Sequence, residues 1–217
     1  MEDSPVHDEL GAISTLQKIS NIAVARHDYG IFVLANLMEV MISILPGAEG
    51  VEAANRALAK ANSVQLEKFQ GMEQLGVLRQ MLDITCSLLL GKALESETKL
   101  KSLHGMLDES QKGGNWMESG EFEVPLNPTR PGRPVDRLRF KWLTKEDVFV
   151  LGYFISGLCK FQRNVEEGGK AERFLQEGLR SIERELRCKT PRCRRWDSYL
   201  RTIRPAEPGS PWLLFTC

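Results

Sequence analysis

The sequence predicts an all-α fold of stacked antiparallel helical hairpins. Apolar residues recur at three- and four-residue steps along most of the 217 residues, and no long run alternates apolar with polar residues, so no sheet larger than a single hairpin is expected. The helical stretches also come in pairs, divided by short turns rich in Gly, Pro and Asp.

Residues 1–10 have little apolar periodicity and read as a disordered N-terminus. A first helix is expected from about Glu9–Gly11, with Ile13, Leu16, Ile19, Ile22 and Ala23 on one face. The stretch Ala25 to Tyr29 reads as a tight turn. A second helix carries Phe32, Leu34, Leu37, Met38, Met41 and Leu45, and Pro46-Gly47 ends it. Val51 to Ala61 has good helix formers but a thin apolar face, which predicts a short helix on the rim. A strong helix follows over about Glu67 to Leu90 and another over Leu94 to Glu109, with Gly91 between them. On the latter, Glu97 and Lys101 are spaced for an i, i+4 pair on the wet face.

Residues 112–141 differ in kind. Four prolines, Pro125, Pro128, Pro131 and Pro134, mark an insertion that is disordered or draped over the surface, with a short extended piece at Glu121–Pro125. After it comes KWLTKEDVFVLGYFISGLCKFQRNVEEGGKAERFLQEGLRSIERELR, Lys141 to Arg187, two helices joined by a Gly-containing turn. Thr144 and Asp147 form a near capping box at its start. Gly157 and Cys159 on the first helix, and Ala171 and Gly178 on the second, are small enough to let the pair approach closely.

Three hairpins thus recur, at 12–45, 68–111 and 143–187. One alone buries too little to fold; stacking gives each a second buried face. This is the logic of a tetratricopeptide-like α-solenoid occupying residues 11–187. Residues 188–217 form a basic, Pro-containing tail without a sustained helical face, though Trp196 to Ile203 suits a short helix.

Composition narrows the function. Formal net charge is +0, which argues against a protein that coats nucleic acid. The longest apolar helical stretch, Ile31 to Leu45, contains Asn36 and Glu39 and is shorter than the ~20 residues a bilayer span needs, so no membrane partner is expected. Five cysteines fit a reducing compartment, with Cys86 and Cys159 as small core residues.

The segment FKWLTKEDVFVLGYFISGL followed by KAERFLQEGL resembles the cohesin loading factor family, the tetratricopeptide-type small subunit that pairs with the large HEAT-repeat cohesin loader. The shared features are an aromatic-Trp-Leu entry, a helix with a Val-Tyr-Leu-like core, and an Ala-rich helix with a Lys-Ala start. The resemblance covers roughly residues 11–187 and its motifs are hydrophobic patterns. It implies a nuclear, non-catalytic scaffold that binds the large loader subunit, acts on cohesin indirectly and promotes sister chromatid cohesion. The alternative is an unrelated adaptor that holds an extended peptide.

Candidate chemistry is sparse. His27 with Asp28 lacks a nucleophile, and Cys86 with His104 makes a thiolate–imidazolium pair only if their helices bring them together. Cys188 and Cys193 lack the further ligands of a zinc site. Gly168-Gly169-Lys170 lacks the phosphate-loop frame and follows a helix. No catalytic residue, cofactor, metal or small-molecule substrate is assigned. The cluster Arg187, Lys189, Arg192, Arg194, Arg195, Arg201 and Arg204 suits a weak nucleic-acid contact through the tail. In tetratricopeptide arrays the first helix of each hairpin lines the concave side; for the third hairpin this assigns partner contact to Tyr153, Ser156, Lys160 and Arg163.

Overall fold

The computed structural model describes residues 5–66, 71–112, 116, 119–126, 136–163 and 168–187. The basic tail, with Cys188 and Cys193, lies outside the described residues. Seven α-helices appear among those described: α1 (Pro5–Arg26), α2 (Tyr29–Ser43), α3 (Val51–Asn62), α4 (Glu73–Leu89), α5 (Ala93–Lys112), α6 (Lys145–Arg163) and α7 (Gly168–Arg187). A 3-10 turn at Gly47–Gly50 precedes α3, and a two-stranded antiparallel sheet of β1 (Glu121–Pro125) and β2 (Arg137–Lys141) lies between α5 and α6. The fold is all-α, as the periodicity predicts.

Helix α1 starts at Pro5, earlier than expected, with a proline in the first turn where its missing N–H costs nothing. Its inner face also differs. Ser20 and Ala23 are buried, Ile13 and Leu16 are half-buried, and Ile19 and Ile22 stay exposed. Polar bonds help hold it to α2: Gln17 Nε2 donates to Glu39 (2.8 Å) and Asn36 Nδ2 to Ser20 Oγ (2.9 Å). The turn to α2 is tight because His27 takes a left-handed conformation, φ 60°.

The rim position expected for α3 is overturned. Val51, Ala54, Ala57, Leu58 and Ala61 are all buried, in one core with Val33, Leu37 and Val40 of α2 and Leu75, Leu82 and Cys86 of α4. Alanine adds little hydrophobicity to a pattern, yet its small size lets neighbouring helices close over it. Helix α4 begins at Glu73 because Gly71 (φ 84°) breaks the chain direction just before it.

A second core joins Val77, Met81, Ile84 and Leu88 of α4 to Leu100, Leu103 and Leu107 of α5 and to Val148, Ile155 and Cys159 of α6. Helices α2, α4 and α6 touch in succession, forming one layer; α1, α3, α5 and α7 flank it as the other. α1 packs on α2, α4 on α5 and α6 on α7, the three expected pairs, and α3 also packs on α2 between the first pair and the second.

The insertion is docked where it is described. Phe122 and Val124 of β1 enter the first core, and Phe122 stacks on Phe140 of β2 at 5.8 Å. Trp116 is buried against Trp142 at 5.9 Å. Residues 127–135 lie outside the described residues.

Candidate partner-binding surface

Helix α6 opens on the capping interaction foreseen in the sequence. Thr144 Oγ1 and its backbone N–H both donate to Asp147 Oδ2 (2.7 and 3.1 Å), and the Asp147 N–H returns to Thr144 Oγ1 (3.3 Å). This sets the rotation of the helix and so the aim of its side chains.

That rotation turns three of the four expected contact residues toward neighbouring helices. Ser156 is buried; its Oγ donates to the Gly152 carbonyl (2.7 Å) and lies 2.8 Å from His104 Nε2 on α5. Lys160 Nζ pairs with Glu97 of α5 at 2.5 Å, with 16% and 14% of the two side chains exposed. Glu97, expected on the wet face of α5, is instead mostly covered and reaches across to α6. Tyr153 is half-buried, and its Cβ lies 3.4 Å from where a Cβ on Gly178 of α7 would sit. The side chain of Arg163 lies outside the described residues. Cys159 also differs from expectation: it enters the second core instead of the α6–α7 crossing, which Gly157, Ala171 and Gly178 make close.

The candidate chemical pairs are not assembled. Burial pushes the Cys86 thiol up to about 11, so it is protonated near neutrality. Cys86 sits in the first core, while His104 is bonded to Ser156 on α6. His27 is exposed and Asp28 buried, so they do not share a face. Lys99 Nζ is held by Asp83 (2.7 Å), Glu95 (2.5 Å) and Ser87 (2.8 Å). Burial lowers its pKa, but the bonds to Asp83 and Glu95 outweigh this and raise it on balance. This cluster ties α4 to α5 beside a shallow cleft. No described helix is long and apolar enough to cross a membrane.

Two apolar surfaces remain. Met38 on α2 is half-buried, and Met41 on α2 and Leu45 just past its end are exposed, at helical spacing and turned from the buried stripe Val33–Leu37–Val40. On α6, Phe154, Leu158 and Phe161 are exposed beside Leu175 and Leu179 of α7. The sequence pattern put Met38, Met41 and Leu45 on the apolar face of the second helix, because periodicity counts apolar positions without knowing which neighbours exist.

No curated protein and no solved structure matches the chain. The family description "Cohesin loading factor" matches residues 3–203, nearly the whole chain. With that coverage over a two-layer helical array, the chain belongs to the cohesin loading factor family, and its role lies in cohesin loading and cohesion.

Proposed function

We propose that the chain is a non-catalytic scaffold, the small subunit of the cohesin loader, which clasps an extended N-terminal segment of the large HEAT-repeat subunit in the nucleus. Cohesin loading factors are in general non-catalytic, and membership implies a place within the loading machinery on chromatin. The observation that carries the reading is an apolar strip of half-buried Met38 and exposed Met41 on α2 with exposed Leu45 just past its end, beside a helix layer in which α2, α4 and α6 touch in succession. Methionine side chains repack easily and suit an extended peptide whose apolar residues arrive at irregular intervals. The contact at Tyr153, Ser156, Lys160 and Arg163 is the second candidate, because Ser156 and Lys160 already have partners within the fold.

The test is a titration of the full chain with the N-terminal segment of the large subunit, with melting curves alongside. Met41→Glu with Leu45→Glu is expected to weaken binding at least about tenfold, or ~1.4 kcal/mol, at an unchanged melt. Unchanged affinity in that folded variant excludes the α2 wall. Affinity lost only in Tyr153→Ala with Lys160→Glu returns the contact to α6.

A further inference from the structure

The two edges of the β1–β2 hairpin differ. The Trp142 N–H donates to the Gly120 carbonyl (2.9 Å) and the Leu126 N–H to the Asp136 carbonyl (2.7 Å). Antiparallel bonding alternates, so Phe122 with Phe140 and Val124 with Leu138 are the bonded pairs between them. The remaining residues, Glu121, Glu123 and Pro125 on β1 and Arg137, Arg139 and Lys141 on β2, turn their backbone N–H and C=O outward. On β1 that edge is blunted. Pro125 has no N–H, the Glu121 N–H donates to Ser119 Oγ (3.4 Å), and the strand lies against α2. On β2 nothing equivalent is found among the described residues: no hydrogen bond from another element takes the outward groups of Arg137, Arg139 and Lys141. The strand is also open to solvent, with 60% of the Arg137 side chain and 79% of the Arg139 side chain exposed, and Leu138 42% exposed.

Charge decides what can use such an edge. Arg137, Arg139 and Lys141 alternate with Leu138 and Phe140, so the cations share one face of the strand and the apolar pair the other. Glu123 is shared between the two guanidiniums (3.4 and 3.2 Å), and Lys141 stands opposite Glu121 in register. A second copy of β2 paired on this edge would set cation against cation, which is destabilising. A strand with acids on the cationic face and apolar residues beside Leu138 meets the opposite situation. We infer that the outer edge of β2 takes an extended partner segment in which acidic and apolar residues alternate, added as a third strand. The main-chain groups of Arg137, Arg139 and Lys141 pair with the segment's backbone, the usual source of affinity in strand addition. Its carboxylates fall beside the cations, so that one row of positive charge lies between two rows of negative charge, and its apolar residues cover Leu138. The site involves none of the residues assigned to the large subunit above.

The experiment uses the full chain and a fluorescent ten-residue peptide of alternating Glu and Val, read by polarisation and by residue-resolved amide hydrogen exchange. Binding is expected to be saturable and to slow exchange of the Arg137, Arg139 and Lys141 amides several-fold. A peptide of alternating Lys and Val is expected not to bind. Arg139→Gln, which removes the charge alone, weakens binding several-fold at an unchanged melt, since exposed ion pairs add little stability. Arg139→Pro also removes the outward N–H and weakens binding further. If the proline unsettles the hairpin, seen as a lowered melt, the exchange of the unaltered chain's amides decides instead. No saturable binding up to about 1 mM peptide overturns the proposal. So does binding that leaves the three amides exchanging as in the free chain, because charge alone then holds the peptide. Self-association in sedimentation that Arg139→Pro abolishes gives the edge to a second copy and overturns it as well.

Discussion

His104 is half-buried and bonded across a helix pair. The single proton of the Ser156 hydroxyl goes to the Gly152 carbonyl, so Oγ accepts from His104 Nε2–H. Burial holds the imidazole below its ordinary 6.5, with Lys160 adding to the effect and Asp108 opposing it. A group with a depressed folded-state pKa contributes its stability fully above the unfolded value and loses it as pH falls through the folded one. Melting temperature is therefore expected to fall as pH drops below 6.5, and His104→Gln to flatten that dependence. Equal slopes in both proteins would remove His104 from the account. Gly120 illustrates strain. It has φ 74°, and an added Cβ would collide with the Trp142 carbonyl oxygen. Gly91 has φ 69° with open space around it. By denaturant titration Gly91→Ala is expected to cost about 1 kcal/mol and Gly120→Ala roughly 2–4, the extra coming from backbone that must shift. Similar losses at both sites would mean that the turn before β1 yields freely.

Elements in this fold take their place from what they pack against. The β1–β2 hairpin shows it: Glu123 faces out to Arg137 and Arg139, while Phe122 and Val124 face the helices. Removing the ring in Phe122→Ala is expected to cost ~3–5 kcal/mol. Truncating exposed Leu138 in Leu138→Ala should stay within about 0.5 kcal/mol. Comparable effects at both sites, measured by chemical denaturation, would show that the hairpin does not brace the core. The alternation Arg-Leu-Arg-Phe-Lys at 137–141 was a strand signal in the sequence. The surrounding prolines hid it, because they mark a loop by composition whatever the segments between them do. Helix α3 was underrated for the opposite reason. Its inner residues are mostly alanine, and their value lies in close approach, which no hydrophobicity pattern records.

At the scale of the molecule, α4 contributes to both cores and Trp142 packs against both. The array should therefore unfold as one unit. Ile84→Ala is expected to cost ~2–5 kcal/mol and to shift the helical and tryptophan signals together. Two separated transitions would show that the cores are independent. The sequence by itself determined the class, the helix pairs, the turn at His27, the cap at Thr144 and Asp147, and the resemblance that the family match confirms. Those features are local: periodicity, capping and turn chemistry act within a few residues. Tertiary structure alone decided which faces are inner. Ser156, Lys160 and Glu97 read as solvent-facing along their own helices, yet they meet across α5 and α6. Phe154 and Phe161 carry the same helical spacing as buried Met81 and Leu88, yet stand exposed among the described residues. Burial depends on the neighbour that arrives from elsewhere in the chain, and a helix's own sequence specifies the face but not the neighbour.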